Sequence, residues 1–236
     1  MLICLSYVST VSSQEASKVV KVEPQLSDIY NVLELMDINL FRFDLNTFLN
    51  EKYTMSIFID EYVNNKKTKR VFITKLGDNI QSLDDIPEKH RDGFRKLKKV
   101  PEGKNEWDNI KEVSVYIRKK NDTTAIFSID VPDVMRFNRQ VFLRPVGEQK
   151  TYFYHTRPFS FQEIKNDEKD NMEIPVILYG SGWLDTKYNV IRFCGEREID
   201  PEMKANILKD IPHHYILGLQ LQKAKVANIE SNRIKE

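Results

Sequence analysis

The sequence predicts a mainly β fold: an antiparallel β-sandwich of two packed sheets with two or three short helices. Three observations carry that expectation. Residues 53–76 read as two strand arms, and in the first arm Met55, Ile57 and Ile59 alternate with Thr54, Ser56 and Asp60, the period-two pattern of a strand with one dry face. Residues 113–131 repeat the design, with Val113, Val115 and Ile117 going out and Ala125, Phe127, Ile129 and Val131 returning. Third, about nine such segments follow one another with short turn signals and no strand–helix alternation.

A helical reading of the first arm scatters its apolar side chains around the circumference, whereas β-branched and aromatic residues suit a pleated surface. Each hairpin leaves an apolar face that needs a cover. The simplest cover is the other hairpin, which gives two facing sheets about 10 Å apart. Ser56-Ile57-Phe58-Ile59 and Ser114-Val115-Tyr116-Ile117 also match type for type, as a duplicated hairpin would. The tips are read as 64–69 and 119–122.

The chain divides into an apolar leader at 1–13, one sandwich-like domain over 14–224 and a polar tail at 225–236. With 236 residues, a domain of this size buries roughly three quarters of its unfolded surface and needs no disulfide staple. Hydrophobic content of 41% with 11% aromatics argues against disorder, and 36 basic residues face 35 acidic ones. Such a balance exerts no global pull on nucleic acid or anionic membrane. No stretch approaches the ~20 apolar residues of a membrane span.

Residues 1–13 hold no charge, are apolar in their first half and end at a small-x-small site, Val11-Ser12-Ser13. They read as the second half of a signal peptide cleaved before Gln14, so the expected location is the periplasm or the cell surface. Cys4 lacks the preceding residues of a lipid-anchoring site. Removal of the leader leaves Cys194 alone, and its apolar neighbours Val190, Ile191 and Phe193 predict that it packs as a small hydrophobe.

In chain order, Leu26, Ile29, Tyr30, Leu33 and Met36 recur at helical spacing, which predicts a short helix over 28–36 capped by Ser27. Such a helix covers a sheet face or closes one end of the domain. Leu40, Phe41 and Phe43 begin an extended segment. Asp85-Ile86-Pro87-Glu88 starts a second helix whose buried side is read as Phe94, Leu97 and Val100. Six basic residues face two acidic ones over 88–99, but the aromatic there, Phe94, is assigned to the buried side and none is left among the basic residues for base stacking, so this is a solvated face and not a nucleic-acid site.

Further strands are predicted at 141–143, 152–155, 174–179, 189–194 and 215–222, with a charged loop at 166–173. Gly180-Ser181-Gly182 predicts a turn or bulge. Asp200-Pro201-Glu202 predicts a third helix that buries Met203, Ile207, Leu208 and Ile211 on one face.

Most catalytic chemistries find no anchor. His90, His155, His213 and His214 show no helical ligand spacing, adjacent His213 and His214 point to opposite faces of a strand, and no metal or other cofactor is expected. Ser181 lacks the outer glycines of a nucleophile elbow. Aromatic residues give a clearer signal: Tyr152 and Tyr154 share one strand face, and Tyr179, Trp183 and Tyr188 gather around the glycines. Together they form a candidate ligand platform for a sugar or peptide. The expected function is an exported, non-catalytic binding or assembly module whose partner is a glycan or another envelope protein. The alternative is a hydrolase of envelope or dietary polymers built on His155, Asp185 and His213. Asn121-Asp122-Thr123 fits an N-glycosylation frame and Asp122-Thr123-Thr124 an O-glycosylation frame, both at a hairpin tip.

The leader end Ser12-Ser13-Gln14-Glu15, the hairpin segments 52–56 and 59–62, and the stretches 195–197 and 214–215 resemble exported, uncharacterised proteins of gut Bacteroidetes. The resemblance covers most of the mature chain. It implies a periplasmic or surface setting and brings no active-site residues with it.

Overall fold

A computed structural model describes residues 21–148, 150–160 and 170–223. The leader at 1–13, the tail at 225–236 and residues 166–169 of the predicted charged loop lie outside the described residues. Two antiparallel sheets face each other. One has the order β1 (Ile38–Asp44), β6 (Glu112–Asn121), β7 (Thr124–Val131), β8 (Met135–Phe142). The other runs β3 (Lys66–Asp78), β2 (Tyr53–Val63), β13 (His213–Lys223), β10 (Asn171–Ser181), β9 (Tyr154–Pro158). Two small ladders, β4 (Ile80–Ser82) with β5 (Glu106–Asp108) and β11 (Trp183–Asp185) with β12 (Val190–Arg192), complete the strands among the described residues. Three short helices accompany them: α1 (Leu26–Leu35), α2 (Glu88–Leu97) and α3 (Ile207–Asp210).

The two predicted hairpins lie in opposite sheets and cover each other. Met55, Ile57 and Ile59 from one and Val113, Val115, Ile117, Phe127 and Ile129 from the other are wholly buried in one cluster. β13 is central because it can bury both faces. Tyr215, Leu217, Leu219 and Leu221 point into the sandwich, while Ile216 joins Leu178, Phe159, Ile199, Ile207, Leu208 and Ile211 in a second cluster on the outer face.

Several local readings are corrected. The first hairpin tip is only Asn64-Asn65, because both adopt left-handed φ, 47° and 56°, as a two-residue type I′ turn requires. The second tip is likewise shorter, with β7 beginning at Thr124. α1 starts at Leu26, and the Asp28 carboxylate accepts the Gln25 N–H at 2.7 Å, so Ser27 is inside the first turn and not the cap. In α2, Leu97 is 71% exposed: the helix ends there, Lys99 turns left-handed, and Val100 folds back with its N–H on the Arg95 carbonyl.

β10 continues through Gly180 and Ser181, with its bulge at Pro175/Ile177. Gly182 serves close packing, since a Cβ there would lie 2.7 Å from Ile191 and 2.8 Å from the Arg192 carbonyl. No helix follows Asp200. Its carboxylate accepts the Glu202 N–H at 2.9 Å and Met203 takes φ 60°, leaving only the single turn α3, whose first N–H groups fall to Glu196. Cys194 is exposed, because the chain leaves the ladder after Arg192.

Where the two sheets end side by side, β1 and β9 are neighbouring edges, and the Thr156 hydroxyl donates to Asn39 Oδ1 at 3.0 Å across them. α1 precedes β1 on this rim, and that junction sets up the candidate site.

Candidate functional site

α1, β1 and the approach to β9 line a half-open cavity of about 680 Å³, within the usual range of ligand pockets. Its wall includes Tyr30 and Leu33 from α1, Asn39 from β1, and Tyr152, Tyr154 and His155 at β9, with Tyr179 from β10. The reason for this convergence is local. Asp37 ends α1 with a left-handed φ of 54°, a conformation Asp tolerates, and turns the chain directly into β1. Tyr154 pairs with Ser181 and Thr156 with Tyr179 across the β9–β10 ladder, so Tyr154 and Tyr179 share the inner face at the sandwich end.

Tyr179 is only 3% exposed. Its ring lies 5.2 Å from that of Tyr154 and edge-on to Phe127 at 5.7 Å. Among the described residues its hydroxyl has no hydrogen-bond partner, although it lines the cavity. Burial pushes its phenol well above the ordinary range, and the field of Asp37 adds to this. Among the described residues of the wall the one ammonium, Lys119, is engaged by Asp122 at 2.9 Å and by the Tyr152 carbonyl at 3.2 Å. His155 packs edge-on to Phe153 at 4.5 Å and against Phe193 at 5.2 Å. Burial, aided by Arg157, lowers its pKa, so it is neutral at physiological pH.

Behind this wall runs a buried polar chain. Tyr154 Oη lies 2.5 Å from His213 Nδ1, and His213 Nε2 lies 3.0 Å from Glu61 Oε1. Glu61 also pairs with Arg144 at 2.8 Å and Lys69 at 3.3 Å. Burial keeps His213 neutral, so the phenol donates to Nδ1 and Nε2–H donates to the carboxylate. Burial alone raises the Glu61 pKa, but hydrogen bonds from His213, Arg144 and Lys69 outweigh it and hold the group ionised. The chain locks the Tyr154 ring in place. Its hydroxyl is occupied by His213 and the Arg144 N–H.

The predicted aromatic platform divides. Tyr152, Tyr154 and Tyr179 meet at the cavity; Trp183 packs with Phe193 in the outer cluster, and exposed Tyr188 lies between Lys187 and Arg192. The hydrolase candidates are also dispersed: His155 among Phe153 and Phe193, Asp185 in an ion pair with Arg192 at 2.7 Å, His213 on Glu61. No hydrogen bond links any two of the three among the described residues. His213 and His214 take opposite faces, His214 stacking on Tyr62 at 4.8 Å. Ser181 is fully buried. Among the described residues no group of three His, Cys, Asp or Glu side chains is placed to hold a metal ion, and no helix is long and apolar enough to cross a membrane.

Sequence reasoning missed Tyr30, Asp37, Asn39 and Lys119. Asp37 carried a usable signal, since a short polar residue just after an apolar helical repeat marks a left-handed helix end. Residues 8–223 match the family described as Domain of unknown function (DUF5041). The chain belongs to the DUF5041 family. The DUF5041 match spans both sheets and every residue of the cavity wall. No curated protein and no solved structure matches the chain.

Proposed function

We propose that this DUF5041 protein is an exported, non-catalytic binding or assembly module that takes its ligand in the cavity between α1, β1 and β9. The observation that carries the reading is Tyr179: its ring is buried, and its hydroxyl, without a partner among the described residues, opens onto a cavity lined by three further tyrosines. A hydroxyl held on a rigid, buried ring at a cavity wall can both donate to and accept from a ligand. Ring faces supply stacking area at low entropic cost. The hydrolase reading gathers less support, because His155, Asp185 and His213 each serve a separate local structure.

The purified full chain is titrated with soluble glycans and envelope fractions while backbone amide shifts are followed. Perturbation concentrated at 30–40 and 152–155 supports the reading. A ligand that perturbs only other surfaces refutes it. Export rests on the uncharged, apolar start and the small-x-small site at Val11-Ser12-Ser13. N-terminal sequencing of native material is expected to start at Gln14, and an intact Met1 contradicts export by this route.

A further inference from the structure

We infer that the ligand of this cavity is an uncharged saccharide, laid with one ring against the tyrosine wall. The inference rests on the binding reading above and adds the chemistry of the ligand. Of the groups around the cavity, Lys119 is already held by Asp122 and a carbonyl, and His155 is neutral. Among the described residues of the wall, Asp37 is the charged group without an ion-pair partner. An anionic ligand meets that carboxylate, and among the described wall residues the one cation, Lys119, already uses two of its three N–H donors on Asp122 and the Tyr152 carbonyl, a mismatch that disfavours such partners.

The hydrogen-bonding groups complement hydroxyls. Asp37 offers carboxylate oxygens that accept, Asn39 has its Oδ1 engaged by Thr156 and so presents its Nδ2 hydrogens, and the Tyr179 hydroxyl does both. Between them lie the apolar Leu33 and Ile117 and the tyrosine rings. A pyranose presents this same alternation, hydroxyls around its edge and C–H groups on its face. A peptide strand is read instead through main-chain hydrogen bonds along an open sheet edge, whereas the polar groups of this wall are side chains and one side-chain hydrogen bond, Thr156 to Asn39, bridges the β1 and β9 edges there.

The test titrates the full chain at constant salt with three probes: neutral oligosaccharides, uronate- or sulfate-bearing oligosaccharides of the same length, and unstructured peptides. Amide shifts and Kd are read together. Neutral saccharides are expected to shift the amides at 37–40 and 152–155 and to bind at least about tenfold more tightly than the acidic ones. Asp37→Asn keeps the left-handed backbone. It is expected to weaken neutral-sugar binding about tenfold, the scale of one charged hydrogen bond, and to narrow the gap to the acidic sugars. If acidic sugars bind as well or better, or only peptides move the cavity amides, the saccharide assignment falls while the site stands. If no probe moves them, both fall.

Discussion

Replacing His214 with phenylalanine is predicted to stabilise the protein and to remove part of its sensitivity to acid. The imidazole is fully buried in the outer face of β13, and neither ring nitrogen has a hydrogen-bond partner among the described residues. Burial, with a smaller contribution from His213, pushes its pKa from 6.5 down to about 3. The unfolded chain takes up a proton near 6.5 and the folded chain only near 3, so between these values the unfolded state binds more protons. Stability is therefore full above the unfolded pKa and falls as pH drops. From pH 7 to pH 5 the loss from this residue alone is about 2 kcal/mol. A phenyl ring keeps the stack on Tyr62 and removes the unpaired nitrogens, worth about 1 kcal/mol at pH 7. Urea unfolding of parent and variant at pH 7 and pH 5, at one ionic strength, measures both effects. His155, also lowered by burial, acts equally on parent and variant and cancels in the comparison, while adjacent His213 is lowered by its own burial in both. The Glu61 carboxyl is held below its ordinary 4.5 and stays ionised at pH 5. A variant that loses as much stability as the parent between the two pH values refutes the reasoning, as does a parent whose stability is flat over that range.

Glu61→Gln removes the anion that Arg144, Lys69 and His213 share, and is expected to cost about 2 kcal/mol, the scale of lost charged hydrogen bonds, since the Arg144 and Lys69 charges left behind remain half or more exposed to water. The urea midpoint at pH 7 reads this, and a change below about 1 kcal/mol contradicts it. Gly218→Ala places a Cβ 2.3 Å from Phe58 Cζ and 2.8 Å from the Ile174 carbonyl oxygen. It is expected to destabilise by about 2 kcal/mol or more, and Phe58→Leu in the same chain is expected to restore only part of that, since the carbonyl contact persists. Thermal unfolding of the single and double variants distinguishes these outcomes, and a neutral Gly218→Ala contradicts them.

The sandwich was legible because both hairpins alternate in period two, and burial of one face then forces the pairing of sheets. What misled was local. Asp200-Pro201-Glu202 has every N-terminal helix signal, yet the Asp200 carboxylate closes a turn on Glu202 instead and Met203 adopts a left-handed φ. Asn64-Asn65 hid a two-residue turn inside a stretch polar enough to read as a longer tip. At the candidate site, the alternation Tyr152, Phe153, Tyr154, His155 told which tyrosines share a face. It did not tell that β9 is an edge strand beside β1, which depends on long-range pairing and brings Tyr30, Asp37 and Asn39 to the same cavity. His213 and His214 were legible as facing opposite ways, but the partner of His213, Glu61, lies 152 positions away and left no mark near it.

The central claim is that the cavity between α1, β1 and β9 is where this protein binds. Leu33→Trp tests it most directly, because Leu33 lies on the α1 side of the wall and an indole there fills space that a ligand needs without touching the sandwich core. The saccharide affinity of the variant is predicted to fall at least about tenfold while its unfolding midpoint stays close to the parent's. Undiminished binding by a folded Leu33→Trp protein contradicts the account.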